Sequence, residues 1–159
     1  MLGKQLIQAA SGSAAGGGPY VGDIAVAHSG GANVSVYPWD SGFGTKYSNP
    51  SPAVQGHGQG VAFSPDGADI AVAHVSSPHI SVYSWSSGFG TKYSDPPDGG
   101  VVNTGYGVAF SPDGADIAIA HQQSPLISVY PWSSGFGTLY SSPATPPTST
   151  CYNVAFSPA

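Results

Sequence analysis

The chain has 159 residues, 40% of them hydrophobic, yet only 7% carry a charge: eight aspartates, no glutamate, no arginine and three lysines, for a formal net charge of −5. Lysines this sparse exclude a phosphate-clamping surface, which needs clustered Lys or Arg, so nucleic acid is not an expected partner. The single cysteine, Cys151, excludes an intrachain disulfide.

Taken in chain order, residues 1–20 (MLGKQLIQAASGSAAGGGPY) stand apart from residues 21–159. The apolar pair Leu6-Ile7 is too brief for the core of a signal peptide or for a bilayer span, so neither export by a signal peptide nor membrane insertion is expected. The Ala/Gly/Ser run behind it has no core-building pattern and reads as a flexible tail. From Gly22 the grammar changes. Apolar residues recur with period two in short bursts bounded by Gly, Pro, Ser or Asp, which predicts strands and no helix.

One unit, Val61 to Gly107, carries the full set. Gly60–Phe63 is a predicted first strand, and Ser64-Pro65-Asp66-Gly67 a tight turn in which proline pre-sets one backbone angle and glycine accepts a positive one. Asp69–His74 is the second strand and Ile80–Trp85 the third. The Ser87-Gly88-Phe89-Gly90 turn leads into a short fourth strand around Thr91–Tyr93.

The unit recurs: VAFSPDGADIAVAH starts at Val61, VAFSPDGADIAIAH at Val108, and VAFSP again at Val154. A period of roughly 47 residues fits a propeller blade or a helical pair, and the strand pattern selects the blade. Gly22 to His28 matches Ala68 to His74 with no VAFSPDG ahead of it, so the strand order runs second, third, fourth, first. The expected fold is all-β: a β-propeller with about three four-stranded blades in permuted order, over repeats at about 21–60, 61–107 and 108–159. Known propellers use roughly 4–8 blades. Another copy is therefore expected to complete the ring, as a homo-dimer or homo-trimer, unless the sequence is a fragment of a longer product. In that closure Asn153, Val154 and Phe156 pair with Asp23, Ile24 and Val26 of the next chain.

VAFSPDGADIAVAH followed by ISVYPW resembles the WD-repeat and related propeller families, over Gly22 to Ala159. The Trp-Asp pair itself occurs once, at Trp39-Asp40; the matching positions read Trp85-Ser86 and Trp132-Ser133. The GKQLIQAASG stretch near the start is similar to the openings of some tailed-phage virion proteins. That resemblance implies a virion location, with the opening segment docked on virion proteins and the propeller displayed outward.

His28, His74 and His121 occupy one repeated place at the end of the second strand. Packed sheets lie about 10 Å apart, too far for such histidines to share a zinc at about 2.0–2.1 Å, so they read as half-buried histidines bonded to a loop, and no metal or cofactor is expected. Asp66 and Asp113 read as turn carboxylates, and Asp23, Asp69 and Asp116 as strand starters. No nucleophile with an assigned base is found, and near-identical units have not diverged to place different residues in different roles, which argues against an enzyme. The recurring aromatics are the candidate binding residues: Trp39, Trp85, Trp132, Phe43, Phe89, Phe136, Tyr47, Tyr93 and Tyr140. Rings beside Ser, Thr and Asn suit a sugar face, although rings recurring in every copy also serve as packing plugs. The functional expectation is a non-enzymatic virion-associated structural or adhesion module with a repetitive surface for assembly or for a receptor such as a cell-surface glycan. The alternative is a symmetric scaffold for protein–protein assembly with no small-molecule ligand.

Overall fold

The computed structural model describes residues 20–97 and 101–158. The anchoring expectation for the opening segment falls on residues 1–19, outside the described residues. The described residues form no helix and nine strands: β1 Val21–Ala27, β2 Val34–Asp40, β3 Gly58–Phe63, β4 Asp69–His74, β5 Ile80–Trp85, β6 Phe89–Lys92, β7 Gly105–Phe110, β8 Asp116–His121 and β9 Ile127–Pro131. They make three antiparallel sheets, β1-β2, β3-β4-β5-β6 and β7-β8-β9, with no closed barrel among the described residues.

The apolar alternation sets the register from Val61 and Val108 onward, with a bulge ahead of it between Gly58 and Gly60 and between Gly105 and Gly107. Val61 faces Val72 and Phe63 faces Ile70 in the second sheet, as Val108 faces Ile119 and Phe110 faces Ile117 in the third. The SPDG turns close by Gly67 N–H donating to Ser64 O at 2.9 Å and Gly114 N–H to Ser111 O at 2.9 Å. Both glycines have positive φ, 70° and 73°, which side-chain-bearing residues rarely adopt.

The expected fourth strand is complete only in the second sheet; in the first and third it shrinks to single bridges, Trp39 to Phe43 and Trp132 to Phe136. Proline is the reason. Pro38 O accepts from Gly44 N–H at 2.8 Å and Pro131 O from Gly137 N–H at 2.9 Å, so these residues face the fourth segment. Within an antiparallel ladder the N–H and C=O of one residue point to the same side, and proline has no N–H to offer there. The second sheet has Ser84 at this place and keeps the strand.

The three sheets stack in chain order, β1 against β3 and β3 against β7. One core joins the first and second sheets through Val34, Val36, Ile70, Val72, Tyr83 and Trp85. The other joins the second and third through Ala71, Ala73, Ile80, Val82, Ile117 and Ile119. The alternation along β4 sends Ile70 and Val72 one way and Ala71 and Ala73 the other, so the middle sheet is dry on both faces. Glycine permits close approach: a Cβ on Gly60 would lie 2.5 Å from Tyr106 O, and one on Gly107 would lie 2.6 Å from Asn153 Cα. Segment 151–156 thus lies on β7 as β7 lies on β3. It has no pairing strand among the described residues.

Candidate functional site

The chemistry of this molecule gathers where one sheet meets the next. At the start of β4, Asp69 is 5% exposed. One of its carboxylate oxygens accepts from Tyr93 Oη at 2.7 Å, and the other from Trp132 Nε1 of the third sheet at 2.9 Å. Asp23 on β1 repeats the arrangement, accepting from Tyr47 Oη at 2.9 Å and from Trp85 Nε1 of the second sheet at 3.0 Å. Each tyrosine also presents its ring edge-on to the indole it shares the carboxylate with: Tyr47 to Trp85 at 5.1 Å and 89°, Tyr93 to Trp132 at 5.2 Å and 90°. These geometries are the favourable T-shaped ones. Burial, then the bond to the aspartate, raises the Tyr47 and Tyr93 phenols above their ordinary value. Each joint is therefore an aspartate and tyrosine from one sheet and a tryptophan from the next.

Asp116 on β8 has the tyrosine half of the joint, with Tyr140 Oη at 3.0 Å on Oδ1. Its Oδ2 has no partner among the described residues, and neither does the Trp39 indole N–H on β2.

Trp85 and Trp132 are each 7% exposed, while Trp39 is half-buried. Phe89 and Phe136 are half-buried against Trp85 and Trp132 at 5.1 Å each, and Phe43 meets Trp39 at 5.0 Å but stays 66% exposed. Tyr47 and Tyr93 are half-buried and Tyr140 is 50% exposed. Ring contacts carry these aromatics from one sheet to the next, Tyr47 to Trp85 and Tyr93 to Trp132. Of the closure residues, Asp23 is bonded within the chain, Ile24 is half-buried and Val26 is 47% exposed. Val154 and Phe156 are half-buried and Asn153 is exposed.

Each histidine of the repeat reaches a serine of the neighbouring strand. His74 Nε2 lies 3.0 Å from Ser81 Oγ on β5, His121 Nε2 lies 3.1 Å from Ser128 Oγ on β9, and His28 Nε2 lies 3.0 Å from Ser35 Oγ on β2. His74 and His121 are fully buried, deeper than the half-burial expected. Burial pushes the His74 imidazole down to about 4 and lowers that of His121. The turn carboxylates are engaged locally, Asp66 with Ser64 Oγ and Asp113 with Ser111 Oγ at 2.6 Å each, and these bonds hold both below the usual carboxylate range. No group of three or more His, Cys, Asp or Glu side chains converges on a metal site among the described residues. A cleft of about 190 Å³ beside the Asp69–Trp132 bond runs between Ser64, Asp66, Asp113 and Ser133. Its carboxylates are already bonded.

The role of Asp23, Asp69 and Asp116 is what sequence reading missed by taking them as strand starters. A signal was present: Tyr47, Tyr93 and Tyr140 each follow their aspartate by 24 residues.

No family model and no curated protein matches the chain. Among solved structures, hydrazine synthase from Kuenenia stuttgartiensis is similar at 20% identity and a TM-score of 0.47, over 66% of this chain and 29% of that one. No helix among the described residues is long and apolar enough to cross a membrane.

Proposed function

We propose that this chain is a non-enzymatic structural scaffold of propeller type, whose sheets are blades joined by a repeated Asp–Tyr–Trp device. The observation that carries this reading is where the polar and aromatic side chains go. Asp69, Tyr93 and Trp132, and likewise Asp23, Tyr47 and Trp85, are bonded to each other across sheets. The buried histidines are tied to serines and the turn carboxylates to their own turns. Catalysis needs polar groups of different kinds left free to meet a substrate in one place. Here they hold sheets together, and assembly is the use such a repetitive surface serves best.

A second reading, display of shallow sites to a receptor such as a cell-surface glycan, is favoured by one observation: Phe43 is 66% exposed beside Trp39. Many weak copies of such a site on a virion or another array would gain avidity. A glycan array probed with the full chain separates the readings. The scaffold reading expects no sugar retained above background. A sugar bound by the wild type and lost in Phe43→Ala would replace it with the adhesion reading.

A further inference from the structure

We infer that two copies of this chain join head to tail through a third Asp–Tyr–Trp joint, in which Trp39 of one copy donates its indole N–H to Asp116 Oδ2 of the other. The inference rests on the propeller-type scaffold reading and adds the partner, the residues and the register. Within the chain, the tryptophans of the second and third sheets each bond the aspartate of the sheet before: Trp85 to Asp23 and Trp132 to Asp69. Trp39 on the first sheet and Asp116 Oδ2 on the third are the two halves left over among the described residues, and they are chemically complementary.

An independent observation places the same two surfaces together. β4 and β8 are each flanked by a strand of the form Val-Ala-Phe, β3 and β7. β1 has the matching sequence, Asp-Ile-Ala-Val-Ala-His against the same letters in β4, but pairs only with β2 among the described residues. Its cost is visible: Val26 is 47% exposed where its counterparts Val72 and Ile119 are 0% exposed. Segment 151–156 carries the missing Val-Ala-Phe, already seated on β7. It and β1 lie on opposite sides of the three-sheet stack, so a single molecule does not bring them together.

Transferring the observed pairing, Gly58 to His74, Val61 to Val72 and Phe63 to Ile70, puts Cys151 opposite His28, Val154 opposite Val26 and Phe156 opposite Ile24 of the other copy. The described residues of two copies in this relation stack six sheets, a number within the range at which propellers close. Burying Val26 and satisfying the edge of β1 supply the driving force.

The register makes a sharp test, because Cys151 is the one cysteine of the sequence. Directly opposed residues of antiparallel strands have Cα atoms about 4.5–5.5 Å apart, within disulfide range. The full-length His28→Cys variant, mildly oxidised and run without reductant, is expected to give a band of two chains that reductant removes, while Val21→Cys gives none. A disulfide formed within one chain, or none with the fold intact, would overturn the inference. Trp39→Phe keeps the ring and removes only the N–H, which has no partner among the described residues. It is expected to leave the denaturation midpoint of the isolated chain unchanged and to weaken self-association, read by sedimentation, about tenfold. Unaltered association, or a well-folded monomer at every concentration, would overturn it too. Such a result leaves the scaffold reading standing, since that reading falls on sugar binding.

Discussion

Asp69 holds two donors from two sheets on one buried carboxylate, so its removal strands both. Asp69→Ala leaves the Trp132 N–H and the Tyr93 hydroxyl without an acceptor at a site 5% exposed. Each unsatisfied buried polar group costs about 1–3 kcal/mol, so urea denaturation should show a loss of about 2–4 kcal/mol. Asp116→Ala removes one bond from an exposed tyrosine and should cost under about 1 kcal/mol. Equal losses would mean that the inter-sheet joint contributes nothing particular. His74 supplies a pH dependence with a definite sign. Unfolded, its imidazole takes a proton below 6.5; folded, burial and the nearby His79 and Lys92 charges hold it down to about 4. Stability is therefore complete above pH 6.5 and declines as the pH falls toward 4, by about 3 kcal/mol at most from this residue. His121 acts with the same sign. Urea midpoints measured across that window should slope down in the wild type and less steeply in His74→Gln, and equal slopes would refute the assignment. The sequence announced these histidines by their recurrence, but not their burial. Depth depends on the neighbouring sheets, and no local pattern encodes that.

Among the elements, the strands were the most legible, because period-two apolar bursts and SPDG turns are local signals. β4 and β5 begin and end where the pattern predicts, at Asp69–His74 and Ile80–Trp85. The fourth strand was less so. Its fate turns on one backbone N–H, present at Ser84 and absent at Pro38 and Pro131, which a search for apolar alternation passes over. How sheets approach each other is written in glycines that the strand pattern ignores. A Cβ on Gly60 would meet backbone atoms of β7, Tyr106 O at 2.5 Å and Gly107 Cα at 3.0 Å. Backbone cannot swing aside as a side chain can, so Gly60→Ala should force the second and third sheets apart at about 1–3 kcal/mol. Gly42→Ala, with nothing within 4 Å of its Cβ, is the control and should stay within about 0.5 kcal/mol of wild type. A Gly60→Ala variant as stable as that control would show that β3 and β7 do not meet as closely as described.

At the scale of the whole molecule, the relation between copies follows from how little charge the chain carries. The joint inferred between Trp39 and Asp116 sets a carboxylate against a neutral indole, and the β1 edge contributes backbone groups and Val26. Neither lysine among the described residues sits there: Lys92 is paired with Asp95, and Lys46 lies 2.5 Å from Asn49 Oδ1. Two copies of net charge −5 repel weakly, and salt screens that repulsion. The dissociation constant of the pair should therefore stay within roughly threefold between about 0.05 and 0.5 M salt, and any movement should be toward tighter binding. An interface built on ion pairs behaves oppositely and loosens as salt rises. Sedimentation equilibrium across that range decides between them: a tenfold weakening at high salt would place the contact between copies elsewhere on the surface. A flat or slightly strengthening profile fits strand pairing and an indole–carboxylate bond.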